Sequence, residues 1–296
     1  MRRVLGRMGL AGLVAAVAVL AAQPVRPALG QPKLSKFDKH LVALPRRDPK
    51  VKLSVNGHYR SSASQRRALL ILLPGGHGRA KIVKGKPTQL LGNFLVKQRR
   101  ALVQKSFITA LMDAADDLQQ EPFLFGNYRR THAHAEDVSA AVQGVRRAYG
   151  YKKPLVVIGM SSGATGAANA AYRDAVPLIK GLVLLASVTQ PNPDGVPWLV
   201  HTLAPSGENA VPLAGLSVPI LFVHHQDDQC ALSPHAGVQA LVNQLTAAGK
   251  DATLVTITGG PTDPNECESG LGHHSFQDME PQVVTAITSW INSKLP

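Results

Sequence analysis

Aromatic, acidic and cysteine residues are all scarce in this chain. Aromatics are 5% of its 296 residues, while Ala, Val and Leu are abundant, a balance that suits helices packed on a parallel sheet rather than an aromatic-rich core. Acidic residues number 19 against 32 basic ones, giving a formal charge of +13. Such an excess favours contact with anionic surfaces or substrates, although a solvated basic surface is the simpler explanation. Zinc-finger spacing, a basic helix and an aromatic–basic platform are all missing, so the charge does not amount to nucleic-acid readout. The chain also lacks an internal repeat, a second-domain linker and an apolar run of bilayer length.

Near the start, Arg2, Arg3 and Arg7 precede an uncharged apolar stretch, Leu10–Ala22. Small residues follow at Ala21-Ala22 and Ala28-Leu29-Gly30, the pattern of a cleaved signal peptide over 1–30. The stretch contains no cysteine for a lipid anchor. The expectation is export to the periplasm or medium, with no stable membrane span after cleavage. Removal of the leader, with its four arginines, lowers the charge to about +9. In an oxidising compartment the only two cysteines, Cys230 and Cys267, are expected to form a disulfide.

The rest, 31–296, reads as one domain in which strands alternate with helices. Apolar strands are expected at Ala68–Leu73, Phe107–Met112, from Pro154 up to a turn at Gly159, and at Gly181–Ser187, Val218–His224 and Ala252–Thr258, with short edge strands at His40–Leu44 and Val51–Val55. Helices are expected at Asn93–Gln104, Ala133–Tyr149, Ala164–Ala171, from a Ser233-Pro234 cap to about Ala248, and over Gln277–Leu295. Lys81–Lys86 reads as a basic surface loop. The Pro/Gly-rich segment 190–217, with Trp198, reads as a lid or pocket wall, and Glu121–Arg130 as a further piece of wall.

The most informative stretch runs from Pro154 to Gly166. A buried strand turns through Gly159-Met160-Ser161-Ser162-Gly163 into a small-residue helix. A serine on such a turn sits in a strained conformation, its hydroxyl lifted off the sheet edge, with glycines where a Cβ would strike a neighbour. In a parallel sheet, ligands gather beyond the carboxyl ends of the strands. Four of those ends carry reactive residues: Pro74-Gly75-Gly76-His77-Gly78, Ser161, Asp227-Asp228, and His273-His274.

In this order, glycine loop, serine, acid and histidine resemble the α/β-hydrolase superfamily over roughly Ala68–Leu295, with a general likeness to exported bacterial serine hydrolases of the dienelactone-hydrolase or esterase kind. The resemblance implies a mainly parallel sheet with helices on both faces, and a Ser-His-Asp triad attacking a carbonyl through an acyl-enzyme. Ser161 would be the nucleophile. The pattern His-Gly-x-x-Asp points to Asp228 as the acid, with Asp227 the alternative; His-Gly-Phe, matched by His274-Ser275-Phe276, favours His274 over His273, which is then a solvent-facing or supporting residue. Amide donors of an oxyanion hole would come from Ser162 and from Gly76 or His77, each donor lowering the barrier by about 3 kcal/mol. A Cys230–Cys267 bond would tie the acid loop to the histidine loop.

Other polar residues have weaker claims. His132 and His134 resemble a metal pair but suit capping better. Arg129 and Arg130 suit a substrate carboxylate or plain solvation. Asp113, Asp116 and Asp117 suit polar contacts or caps, and Asn93 and Trp198 are possible pocket residues. The expectation is a hydrolase of small-molecule or lipid-like esters needing no cofactor or metal, with a peptidase or amidase, or a binding module without turnover, as rivals.

Overall fold

The computed structural model describes residues 34–44, 48–60, 67–118, 128–149, 152–173, 179–190 and 212–295. The expected leader over 1–30, Trp198 and most of the 190–217 excursion lie outside them. So does 119–127, most of the expected Glu121–Arg130 wall.

Eight strands form the main sheet: β1 (Leu34–Leu44), β2 (Asp48–Arg60), β3 (Leu69–Leu73), β6 (Ile108–Ala115), β7 (Leu155–Met160), β8 (Ile179–Leu185), β9 (Ile220–His225) and β10 (Ala252–Ile257). A two-stranded hairpin, β4 (Ile82–Val83) and β5 (Lys86–Pro87), occupies the expected basic loop. The sheet order is β1-β2-β6-β3-β7-β8-β9-β10. β2 pairs antiparallel with β1 and β6, and every pairing from β6 to β10 is parallel. β1 and β2 run longer than the sequence pattern implies, because they pair with each other as an antiparallel hairpin; only β1 lies at the sheet edge, since β2, expected there too, is paired on its other side with β6.

The parallel strands are apolar throughout because both faces are covered. One face holds Leu69, Ile71, Leu155 and Val157 against α2 (His132–Tyr149), α3 (Ser162–Tyr172) and α4 (His235–Ala247). The other holds Leu70, Leu72, Val156 and Ile158 against α1 (Phe94–Gln104) and α6 (Glu280–Lys294). Adjacent residues of one strand thus feed two separate cores, each fully buried Leu or Ile contributing about 1.5–3 kcal/mol. Among the described residues, no helix is long and apolar enough to cross a membrane.

The chain reverses its direction of travel across the sheet at β3, which lies between β6 and β7. The loops leaving β3 and β7 therefore emerge side by side, the crevice where open parallel sheets hold ligands. Glycine lets them close on each other. A Cβ at Gly163 would lie 2.2 Å from the Leu73 carbonyl oxygen, and one at Gly159 would lie 2.3 Å from that of Gly163.

Candidate active site

Ser161 ends the turn between β7 and α3 with φ 51° and ψ −126°, in the region that L-residues avoid. Its amide is held by the Leu185 carbonyl at 2.8 Å. The next residue, Ser162, opens α3, where first-turn amides lack intrahelical partners. The Ser162 hydroxyl donates to the Gly76 carbonyl at 2.8 Å, binding the glycine loop to the elbow. Gly76 takes φ 57°, and a 3.1 Å turn bond from Gly78 N to Gly75 O closes the loop.

Below this loop lies Arg129. It was expected to meet a substrate carboxylate or solvent, but it is buried, and Nη2 donates to the Pro74 carbonyl at 2.9 Å. Burial draws its pKa down to about 10. Its role here is to hold the root of the glycine loop. The His77 ring turns to its own loop, Nδ1 accepting from Arg79 N at 3.1 Å; burial, and then Arg79 and Arg129, lower its pKa and favour the neutral ring.

Across the site, the Asp228 carboxylate is wholly shielded from solvent and accepts from His274 Nδ1 at 2.8 Å. A carboxylate can only accept, so Nδ1 carries the proton and Nε2 presents its lone pair. Nε2 is buried with no hydrogen-bond partner among the described residues. The Ser233 hydroxyl lies 3.0 Å from both Asp228 Oδ2 and His274 Nδ1, and Cys230 N donates to Asp228 Oδ1 at 2.9 Å. Burial alone would raise the Asp228 pKa. His274 and His224 outweigh it and hold the carboxyl well below the usual range. His224 Nε2 stands 3.4 Å from Asp228 Oδ2 and donates to the Ser233 carbonyl at 2.7 Å.

Ser233 does not cap α4, as its sequence position suggests: the boundary residue is Pro234 and no side chain caps the helix. Its hydroxyl is drawn instead to the buried carboxylate, the stronger acceptor. His273 is not solvent-facing. It is buried, with Nδ1 2.9 Å from the Asp227 carbonyl and Nε2 3.3 Å from that of Gly260, and it stacks on His225 at 4.0 Å. Asp227 keeps an exposed position, its amide donating to His225 Nδ1 at 3.0 Å.

Cys230 and Cys267 form a disulfide. One residue before each cysteine, a second tie joins the same loops. Glu266 accepts from Gln229 N at 2.8 Å through Oε2, and from His273 N at 3.0 Å and Asp263 N at 3.2 Å through Oε1. Sequence reasoning missed Glu266, Ser233 and His224. The available signals were a glutamate beside a cysteine expected to pair, and a serine between an acid and a proline.

Ser161 and His274 open onto one cavity of about 290 Å³. Gly76, Leu90, Asn93 and Met160 line one part of its wall, and Cys267, Glu268, Ser269 and Gly270 another. His77 is not in the wall. Among the described lining residues Glu268 is the only carboxylate and no lysine or arginine occurs, so the chain's basic excess does not reach this described surface.

Asp113 does not face the cavity: its carboxylate accepts from Lys81 N at 3.1 Å and Ile82 N at 2.8 Å, anchoring the β4–β5 hairpin. His132 meets Arg173, and His134 packs over Gly166. No cluster of three metal-ligating side chains occurs among the described residues.

This sheet order, with a strained serine after the fifth main-sheet strand and a buried acid and histidine after later ones, decides the fold class. The chain has the α/β-hydrolase fold. A family model described as serine aminopeptidase, S33, matches residues 119–236, a span holding Ser161 and Asp228 but ending before His274. Solved α/β-hydrolase structures agree over nearly the whole chain. An esterase from the fungus Rhizomucor miehei is 18% identical, with TM-score 0.56 over 90% of this chain and 85% of its own. A putative dienelactone hydrolase from Klebsiella pneumoniae is 13% identical, with TM-score 0.54 over 87% and 99%. The acylaminoacyl peptidase of Pyrococcus horikoshii is 11% identical, with TM-score 0.58 over 90% of this chain and 42% of its own. No curated protein matches by sequence.

Proposed function

We propose that the protein is a serine hydrolase that cleaves carboxylic esters through an acyl-enzyme. The observation that carries this reading is His274, which lines the same cavity as Ser161, with Nδ1 held by a buried carboxylate and Nε2 without a hydrogen-bond partner among the described residues. Ser161 Oγ bonds to the ester carbonyl carbon as its proton passes to Nε2, and Asp228 stabilises the imidazolium. The imidazolium returns that proton to the departing alkoxide. Water, deprotonated by the same nitrogen, then releases the acid. The amides of Ser162 and of the loop at Gly76–His77 are the proposed backbone donors to the oxyanion.

A fluorophosphonate probe tests the reading. Wild type should be labelled, whereas Ser161→Ala should be silent and His274→Ala slowed by about 10⁴-fold or more. Wild type that stays unlabelled while folded, or Ser161→Ala that labels normally, refutes it. Peptide-bond cleavage is the second reading, supported by the aminopeptidase description of the matching family model. An ester and an anilide with the same acyl group separate the two by kcat/KM. We further propose export, which the disulfide supports; intact mass of the protein from its native host should show loss of about 30 residues.

A further inference from the structure

We propose that the Asn93 side-chain amide is an additional oxyanion donor. The inference rests on the serine-hydrolase reading of Ser161. Asn93 is buried at the N-cap of α1, and three of its four polar groups are occupied. Its backbone N donates to Leu90 O at 3.0 Å, its carbonyl accepts from Lys97 N at 2.9 Å, and Oδ1 accepts from Leu95 N at 3.1 Å. The last bond decides which end of the amide is which. An N–H facing the side chain demands an oxygen, so the other end, directed away from the helix, is the NH₂.

That NH₂ belongs to a residue lining the same cavity as the nucleophile. The point where a Gly75 Cβ would stand lies 2.9 Å from Ser161 Cβ, 2.9 Å from the Met160 carbonyl oxygen and 3.4 Å from Asn93 Nδ2. Serine and amide thus flank one missing side chain, and both line the reaction cavity together with Gly76. Glycine at 75 is needed because any Cβ would fill the gap between them. A carbonyl attacked by Ser161 would develop its negative oxygen in the cavity that both residues line, beside a donor already oriented by the helix cap.

Pre-orientation is what makes such a donor effective. The cap fixes Asn93 before substrate arrives, so no side-chain ordering remains to be done as charge develops. The segment is also braced from the histidine side: a Cβ at Gly92 would lie 2.7 Å from the Gly270 carbonyl oxygen, so the two loops meet backbone to backbone.

Two substitutions separate this role from capping. Asn93→Ser and Asn93→Asp both retain a good N-cap acceptor and remove the NH₂. Each should keep the melting temperature and KM of wild type while kcat falls about 100-fold or more, and the fluorophosphonate labelling rate should fall in parallel, since the phosphonyl oxygen occupies the same position. Wild-type kcat in either variant, or a decline in both that follows a lowered melting temperature, overturns the proposal while labelling of wild type leaves the hydrolase reading intact. Unlabelled wild type removes both.

Discussion

The two halves of the site are built from different materials. Around Ser161, backbone meets backbone: Gly163 against Leu73, Gly159 against Gly163, Gly75 against Met160. Around Asp228 and His274, side chains hold loops together: a disulfide, the Glu266 carboxylate, the Ser233 hydroxyl and His224. The elbow grows directly from β7 in the middle of the sheet, so steric exclusion suffices to fix it. The histidine loop sits between β10 and α6, and needs ties to keep its place. This contrast teaches that the geometry of one candidate site can be secured by removing atoms at one end and adding cross-links at the other.

The largest effect should come from crowding the backbone half. Gly163→Ala places a methyl 2.2 Å from the Leu73 carbonyl oxygen, with no flexible atom to yield. About 4 kcal/mol or more of stability should be lost, read by chemical denaturation. A stability loss under 1 kcal/mol would mean that the elbow does not depend on close approach.

Opening the cross-linked half costs somewhat less. Cys230→Ser/Cys267→Ser removes a tie across a separation of 37 residues, and should lower stability by about 3 kcal/mol. Hydrogen exchange should quicken in 226–233 and 263–276 and stay slow in β7 and α3. Equal quickening in both regions would erase the distinction.

Glu266→Gln isolates the polar tie. An amide NH₂ now confronts a backbone N–H at one of the two loops, at a cost of about 2 kcal/mol. The loosened loop carries His274 together with Cys267–Gly270 of the cavity wall, so kcat should fall and KM rise. Unchanged kcat would reduce Glu266 to a folding role.

The smallest effect concerns acid. The folded Asp228 carboxyl has its pKa held below the ordinary value, so the stability it contributes is complete above about pH 4 and drains away as pH falls toward the folded pKa. Asp228→Asn should therefore flatten the acid limb of the stability curve and leave the Ser161 elbow intact. An identical acid limb in the variant would show that other carboxylates dominate.

Much of this was legible in residue order. The apolar runs of β3, β7 and β9 and the Gly-x-Ser-x-Gly turn report short-range sterics, which adjacent residues express by themselves. Polar cross-ties were less legible. Ser233 looked like a cap because a serine before a proline is locally sufficient for one, and Arg129 looked solvated because a charge ordinarily is. Both yielded to partners supplied from elsewhere: Asp228 for the serine, and Pro74, 55 residues away, for the arginine.

By itself the sequence determined a parallel sheet flanked by helices, a serine forced into a strained turn and a single possible cysteine pair, since each depends on neighbours in the chain or on a count. Only the tertiary structure decided which acid meets which histidine. It also made Glu266 a brace beside the disulfide and brought Asn93 into the cavity wall that Ser161 shares. The acid–histidine pair and the Glu266 brace rest on hydrogen bonds between residues 46 and 37 positions apart, and only the packed sheet brings those partners within 3 Å or so of each other.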